Sequence, residues 1–164
     1  MLYGIASHCM KTVSKSVLLN HSPEQMYALV TDVAQYPAFL PWCDSSEVIS
    51  ETASEMTAKV GMALGGLHQS FTTKNLHEAG RAVHMQLVDG PFSHLEGSWQ
   101  FKPLGELDAH GQAAACKVSF TLAYAFSIKT LATLVGPVFD KIASNLIDAF
   151  VTRADTVYGK SEGP

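Results

Sequence analysis

From Cys116 to Phe126 every second residue is apolar or aromatic (Cys116, Val118, Phe120, Leu122, Tyr124, Phe126), with Lys117, Ser119, Thr121, Ala123 and Ala125 between them. A two-residue period held this long predicts a strand with one face buried and the other wet. The period then changes. From Ile128 to about Tyr158 the apolar positions Leu131, Leu134, Val135, Val138, Ile142, Leu146, Phe150 and Val157 follow helical spacing, with Lys141, Asp148, Arg153 and Asp155 interposed. A helix of about thirty residues is roughly 45 Å long, more than a small domain is wide, so it must lie across something broad. The apolar face of the sheet that holds the preceding strand is the available partner. A sheet curled over one long helix can leave a gap, and a ligand would sit there.

The composition permits this architecture without further support. The chain has 164 residues, 47% of them hydrophobic, enough for a core that needs neither disulfides nor metal. One domain over residues 10–159 is expected, with 1–9 an N-terminal extension, Met10 a candidate initiator, and 160–164 a tail. The formal charge of −4 argues against a surface generally tuned to nucleic acid, and DNA is not an expected partner. Cys9, Cys43 and Cys116 are odd in number and at no motif spacing, which reads as reduced thiols of a cytoplasmic protein. Lys129 interrupts the longest apolar stretch, so no membrane span is expected. The first residues, MLYGIASHCMKT, lack the basic-then-apolar order of a signal peptide.

Along the chain, Lys15–Asn20 leans towards a strand. Ser22 with Pro23 and Gln25 is a helix start, with Met26, Leu29, Val30 and Val33 as its buried stripe. Asp32 opens a second helix that Pro37 and Pro41 limit to about two turns. Four β-like segments follow: Glu55–Leu64, His68–Leu76 after a Gly65-Gly66 hairpin turn, Arg81–Val88 and Ser93–Phe101. Gly105–Gln112 reads as a loop before the long final strand. The order is strand, two helices, antiparallel strands and a long helix, an α+β chain of six to seven strands.

Motifs of covalent or phosphate chemistry are absent: no GxGxxG, GxxxxGK[ST], GxSxG, CxxC or HExxH occurs. Residues 61–66 (GMALGG) carry glycines without the phosphate-loop spacing and read as strand and turn. His68 and His84 could be cross-strand neighbours, but no third ligand is in register, and scattered satisfied histidines are the plainer reading. Asp89 and His94 could pair as acid and base, yet an aspartate before glycine ordinarily serves its turn. No catalytic residue and no metal site is expected. Two aromatic segments, Asp32–Cys43 (DVAQYPAFLPWC) and Asp89–Phe101 (DGPFSHLEGSWQF), could form a pocket mouth or simply plug the end of the sheet.

The strings YPAFLPWC, DGPF followed by LEGSWQF, CKVSFTLAYAF and GPVFDKIASNLIDAFVTRA resemble the coenzyme Q-binding proteins and, equally, the ribosome association toxin A proteins. Both belong to the START-like, helix-grip superfamily, and the resemblance covers about residues 11–159. It implies a six- or seven-stranded sheet gripping the C-terminal helix around a lipid-sized cavity. It also implies one of two non-enzymatic roles: binding ubiquinone in support of respiration, or binding the large ribosomal subunit and blocking subunit association. More distant superfamily branches are cyclases and dehydratases. Those need an acid or base in the cavity, where the inward registers offer Tyr124 and Thr73.

The expected function is therefore binding of ubiquinone or a related polyprenyl lipid, with no cofactor required and with ribosome binding or a cyclase-like activity as alternatives. The ligand-lining residues expected from the sheet are Phe71, Met85, Leu87, Trp99, Phe120, Leu122 and Tyr124. Those expected from the helix are Val138, Phe139, Ile142 and Leu146, with Phe39, Pro41, Trp42 and Phe92 at the mouth. Gly136-Pro137 should kink the helix or mark its effective start, and a mobile segment before it could admit the ligand. A cytoplasmic protein with transient contact at the inner membrane would suit that role.

Overall fold

A computed structural model describes residues 10–159, so the expected extension (1–9, with Cys9) and tail (160–164) lie outside the described residues. Strand β1 (Lys11–Leu19) leads into helix α1 (Pro23–Thr31), a 3-10 turn (Val33–Gln35) and the short helix α2 (Tyr36–Phe39). A meander follows: β2 (Cys43–Glu51), β3 (Glu55–Leu64), β4 (Leu67–Glu78), β5 (Ala82–Asp89), β6 (Phe92–Leu107) and β7 (Ala113–Phe126). Helix α3 (Lys129–Tyr158) ends the described chain. Neighbouring strands pair antiparallel and β1 returns to β7, which makes one seven-stranded sheet in the order β1-β7-β6-β5-β4-β3-β2. The expected α+β sheet gripping a long C-terminal helix is present.

Local chemistry fixes the ends of these elements. Ser22 Oγ accepts from the Gln25 amide (3.1 Å) while Gln25 Oε1 accepts from the Ser22 amide (2.9 Å), closing the capping box of α1. Gly65 and Gly66 both have positive φ (56° and 90°), the geometry a two-residue hairpin between β3 and β4 requires.

Three boundaries differ from the sequence expectation. β1 starts at Lys11 rather than Lys15. β2 was not expected at all, because it is an edge strand exposed along almost its whole length, interrupted by two register shifts, and shows no apolar alternation. β6 continues through Gly105 to Leu107, and only Asp108–Gln112 turns, with the Asp108 carboxylate accepting from the His110 (2.8 Å) and Gln112 (3.0 Å) amides.

Helix α3 also differs. It begins eight residues before Pro137 and runs through it, so Gly136-Pro137 does not mark its start. Its buried stripe is Val135, Gly136, Phe139, Ala143, Ile147, Phe150 and Ala154. Leu134, Val138 and Val157, assigned to the apolar face by spacing, are exposed. Small residues (Gly136, Ala143 and Ala154) share this buried stripe with Phe139, Ile147 and Phe150, and Leu134, Val138 and Val157 point outwards. His21 anchors the far end of the helix, with its buried ring 2.9 Å from the Asp155 carboxylate.

His77, near the end of β4, meets the Tyr27 ring of α1 edge-on at 6.0 Å, and its Nε2 has no hydrogen-bond partner among the described residues. Burial lowers its pKa below the ordinary imidazole value, against a smaller opposing pull from Glu51. A base whose folded pKa lies below its unfolded one binds fewer protons when folded, so stability falls as pH drops through the unfolded value of 6.5. Urea midpoints should therefore decline from about pH 7 to about pH 5, and the decline should be shallower in His77→Phe. Equal slopes in the two proteins would assign the dependence to other groups.

Candidate functional site

Helix α3 is propped off the sheet at two points. Phe139 packs on Tyr124 (ring centroids 4.8 Å apart), Phe92 (5.3 Å) and Phe126 (5.6 Å). Phe150 packs on Trp99 (5.1 Å), Phe39 (5.2 Å) and Tyr36 (5.6 Å). About 16 Å of helix axis separates the props, and between them Ala143 faces the sheet, 2% exposed. Two large rings with a methyl group between them leave unfilled space.

The space is walled by Ala58, Val60 and Met62 of β3 and by Phe71, Thr73 and Asn75 of β4. Met85, Leu95, Trp99, Phe120 and Leu122 continue the wall across β5, β6 and β7. Val33, Tyr36, Leu40 and Trp42 close one side, and α3 supplies the roof through Phe139, Ile142, Ala143, Leu146 and Phe150. Gly97 helps to hold it open, since a Cβ there would come within 2.7 Å of the Met85 methyl and 3.0 Å of Leu122 Cδ1. The empty space is about 790 Å³ when counted out into open solvent, of which only about 90 Å³ admits the centre of a water molecule. By that stricter measure it is a narrow cleft rather than a chamber for a whole long-chain lipid.

The wall is almost entirely apolar. Thr73 (5% exposed) and Asn75 (6%) are joined by Thr73 Oγ1 donating to Asn75 Oδ1 at 2.9 Å. Tyr36 donates its hydroxyl to the Val30 carbonyl, and burial pushes its pKa well above the usual phenol range. No carboxylate, imidazole or amine is among the wall residues.

Outside the cavity a surface groove is formed by Pro41, Ala63, Val138, Lys141, Asn145 and Ala149 together with Trp42, Ile142 and Leu146. The last three belong to both spaces, so they are the partition between cavity and solvent.

The structure thus brings Trp42, Phe71, Met85, Trp99, Phe120, Leu122, Phe139, Ile142 and Leu146 together around one cavity. The other residues singled out in the sequence lie elsewhere. Pro41, in the connection between α2 and β2, and Val138, turned outwards on α3, are on the outer groove. Phe39 turns away from the cavity to pack on Tyr36 and Phe150, beneath the Arg153 guanidinium (5.0 Å). Phe92 is core, stacked on Phe126 (4.9 Å) and set edge-on to Phe71 (5.8 Å), so it closes the sheet end instead of forming a mouth. Leu87 is half-buried beside the core but off the cavity wall.

Tyr124 is also off the wall. It donates to Asp140 Oδ1 (2.5 Å), whose other oxygen accepts from Lys11 Nζ (2.5 Å). Burial first, then the Asp140 hydrogen bond and charge, raise its pKa far above that of a free phenol. It is a clasp between β1, β7 and α3 rather than an acid in the cavity.

Sequence reasoning missed Val33, Tyr36, Leu40, Ala58, Val60, Met62, Thr73, Leu95, Ala143 and Phe150 as wall residues, and above all Asn75. The signal for Asn75 was its place in the inward register of β4, two residues from Thr73. His68 pairs with Asp44 (2.8 Å) and His84 with Glu78 (3.0 Å), so these two histidines are not neighbours. His94 lies 3.6 Å from Glu96. Cys43 and Cys116 are free and buried; burial raises both thiols, Cys116 to about 11, which disfavours the reactive thiolate.

Residues 19–151 match the family described as polyketide cyclase / dehydrase and lipid transport. The ribosome association toxin RatA of Vibrio cholerae is 44% identical over 151 residues, which cover 92% of this chain and 100% of the relative. The mitochondrial coenzyme Q-binding protein COQ10 homolog B of Xenopus laevis is 31% identical over 156 residues, 92% of this chain and 61% of that one. In fold, the chain is similar to a START superfamily protein from Mycobacterium smegmatis, with a TM-score of 0.69, 19% identity, and coverage of 89% of this chain and 98% of that one. Seven strands wrapped on one long helix, with the match spanning most of both, place this chain in the polyketide cyclase / dehydrase and lipid transport family.

Proposed function

We propose that this chain associates with the ribosome, through the large subunit, and acts there without catalysing a reaction. The observation that carries this reading is the extent of similarity to a protein named a ribosome association toxin, 44% identity over the whole of that relative, against 31% over 61% of the coenzyme Q-binding protein. This reverses the order expected from the sequence. A wall with no carboxylate, imidazole or amine supports a non-enzymatic role.

Charge supports it locally. Lys11, at the start of β1, is engaged by Asp140. Lys102 and Lys117, however, are cross-strand partners on the exposed face of β6 and β7, and neither has an ion-pair partner among the described residues. Two adjacent like charges cost stability unless an anion covers them, and ribosomal RNA phosphate is such an anion.

A second reading concerns the cavity. Its apolar wall supports binding of a hydrophobic small molecule such as a quinone or polyprenyl lipid, each buried methylene contributing about 0.8 kcal/mol. Exposed Ile128, Leu134 and Val138, with Lys129 and Lys141, favour transient contact of the outer helix with a membrane during loading. No helix among the described residues is long and apolar enough to cross one.

Two measurements on one preparation test these readings. Co-sedimentation with large ribosomal subunits should occur at physiological salt and weaken when Lys102 and Lys117 are changed to Glu. Absence of co-sedimentation, with ubiquinone in an organic extract of the same protein, would overturn the ribosome reading in favour of the cavity alone. Leu146→Trp tests whether the gap is real. Filling an empty cleft should leave the melting temperature nearly unchanged, whereas overpacking a closed core costs about 1–3 kcal/mol and would lower it by several degrees.

A further inference from the structure

The inward face of the sheet carries a row set by register, which starts in the core beside the cavity and enters it at Asn75: Met56 opposite Asn75, Asn75 opposite Met85, Met85 opposite Gly97, and Gly97 opposite Leu122. Four of these five residues are apolar or lack a side chain. Asn75 is therefore flanked by two thioethers, which are weak acceptors, and by the space that Gly97 leaves free. Its Oδ1 is taken by Thr73. A primary amide also carries two N–H donors, and among the described residues neither has a hydrogen-bond partner. Nor is this nitrogen one of the sealed orphan atoms, which are Ser46 Oγ and His77 Nε2. The group faces the cavity.

We propose that Asn75 is the polar anchor of the cavity, donating from its amide nitrogen to a carbonyl-type acceptor on an otherwise apolar ligand. This rests on the reading that the cavity takes a hydrophobic small molecule. Thr73 is a positioning residue: by occupying Oδ1 it fixes which edge of the amide faces the ligand. The site selects a neutral acceptor, because an apolar wall with no basic group leaves an anion without compensation.

Position sets the direction of entry. Ala63 lies on the outer groove, whereas Asn75 is paired with Met56, seven residues earlier on β3. Along the strand that is roughly 23 Å. The acceptor therefore enters first and the apolar end trails towards Trp42, Ile142 and Leu146, the reverse of a lipid held with its head at the surface.

The test uses two probes of similar shape, 2-acetylnaphthalene, which carries a carbonyl, and 2-ethylnaphthalene, which does not, titrated against tryptophan fluorescence. Wild type should bind the ketone about three- to tenfold more tightly than a ligand making no such hydrogen bond. Asn75→Leu should bring the two probes within twofold of each other, chiefly by weakening the ketone. Equal affinities in wild type, or a ketone preference that survives in Asn75→Leu, would overturn the anchor while leaving the cavity reading intact. Failure of both probes to bind wild type would overturn the cavity reading, and the anchor with it. Should Asn75→Leu not fold, infrared spectra of the carbonyl-labelled ketone on wild type decide the matter. A C=O stretch lowered on binding supports the anchor, and one at its hydrocarbon-solvent frequency refutes it.

Discussion

The distance between α3 and the sheet is fixed by two phenylalanine side chains, and most of what the molecule can do follows from that distance. Phe139 and Phe150 rest on aromatic clusters of the sheet and of the α2 segment, where ring-edge contacts add to the area they bury. Ala143 between them cannot reach across. A leucine there would fill part of the cleft and recover the contacts a void forfeits. The fold forgoes that stability in the middle of its core.

The two halves of the helix are secured differently. The C-terminal half has the Phe150 cluster, the His21–Asp155 contact and a bond from the Tyr158 hydroxyl to the Gln25 carbonyl (3.2 Å). The N-terminal half has no side-chain cap at Ile128, a lysine rather than an acid in its first turn, and Pro137, which deletes one intrahelical bond. What holds it is Phe139 and the Lys11–Asp140–Tyr124 clasp. The partition residues Ile142 and Leu146 follow directly after Phe139 and Asp140.

The sheet, the long helix and the apolar gap were legible because each is written in a periodicity. Period two in residues 116–126 and period 3.6 beyond Ile128 need no tertiary information. What was not legible depended on small buried residues and on edges. The buried stripe of α3 includes Gly136, Ala143 and Ala154, whose small size carries little hydrophobic signal. With that stripe inward, Val138 lies on the groove instead of the wall. Strand β2 has no alternation because, beyond Cys43 and Ser46 next to the 3-10 turn and α2, its faces are left uncovered. Phe92 and Tyr124 lie in the inward register as read, yet register says only that a side chain faces the helix, not whether it meets a ring, a carboxylate or empty space. Asn75 was passed over because a polar residue in a strand is ordinarily assigned to the wet face.

The strand order has a consequence for how the protein assembles. From β2 to β7 every pairing joins neighbours in sequence, so a ribosome releases this part of the sheet as a series of hairpins that can form as they emerge. β1 pairs only with β7, roughly a hundred residues later, and must wait. α3 comes after both. Until it docks, the concave face of the sheet, with Trp99, Phe120 and Met85 upon it, is an open trough. The cavity is thus the last feature of the molecule to come into being, and a hydrophobic molecule near the nascent chain meets a wide basin before it ever meets a narrow mouth.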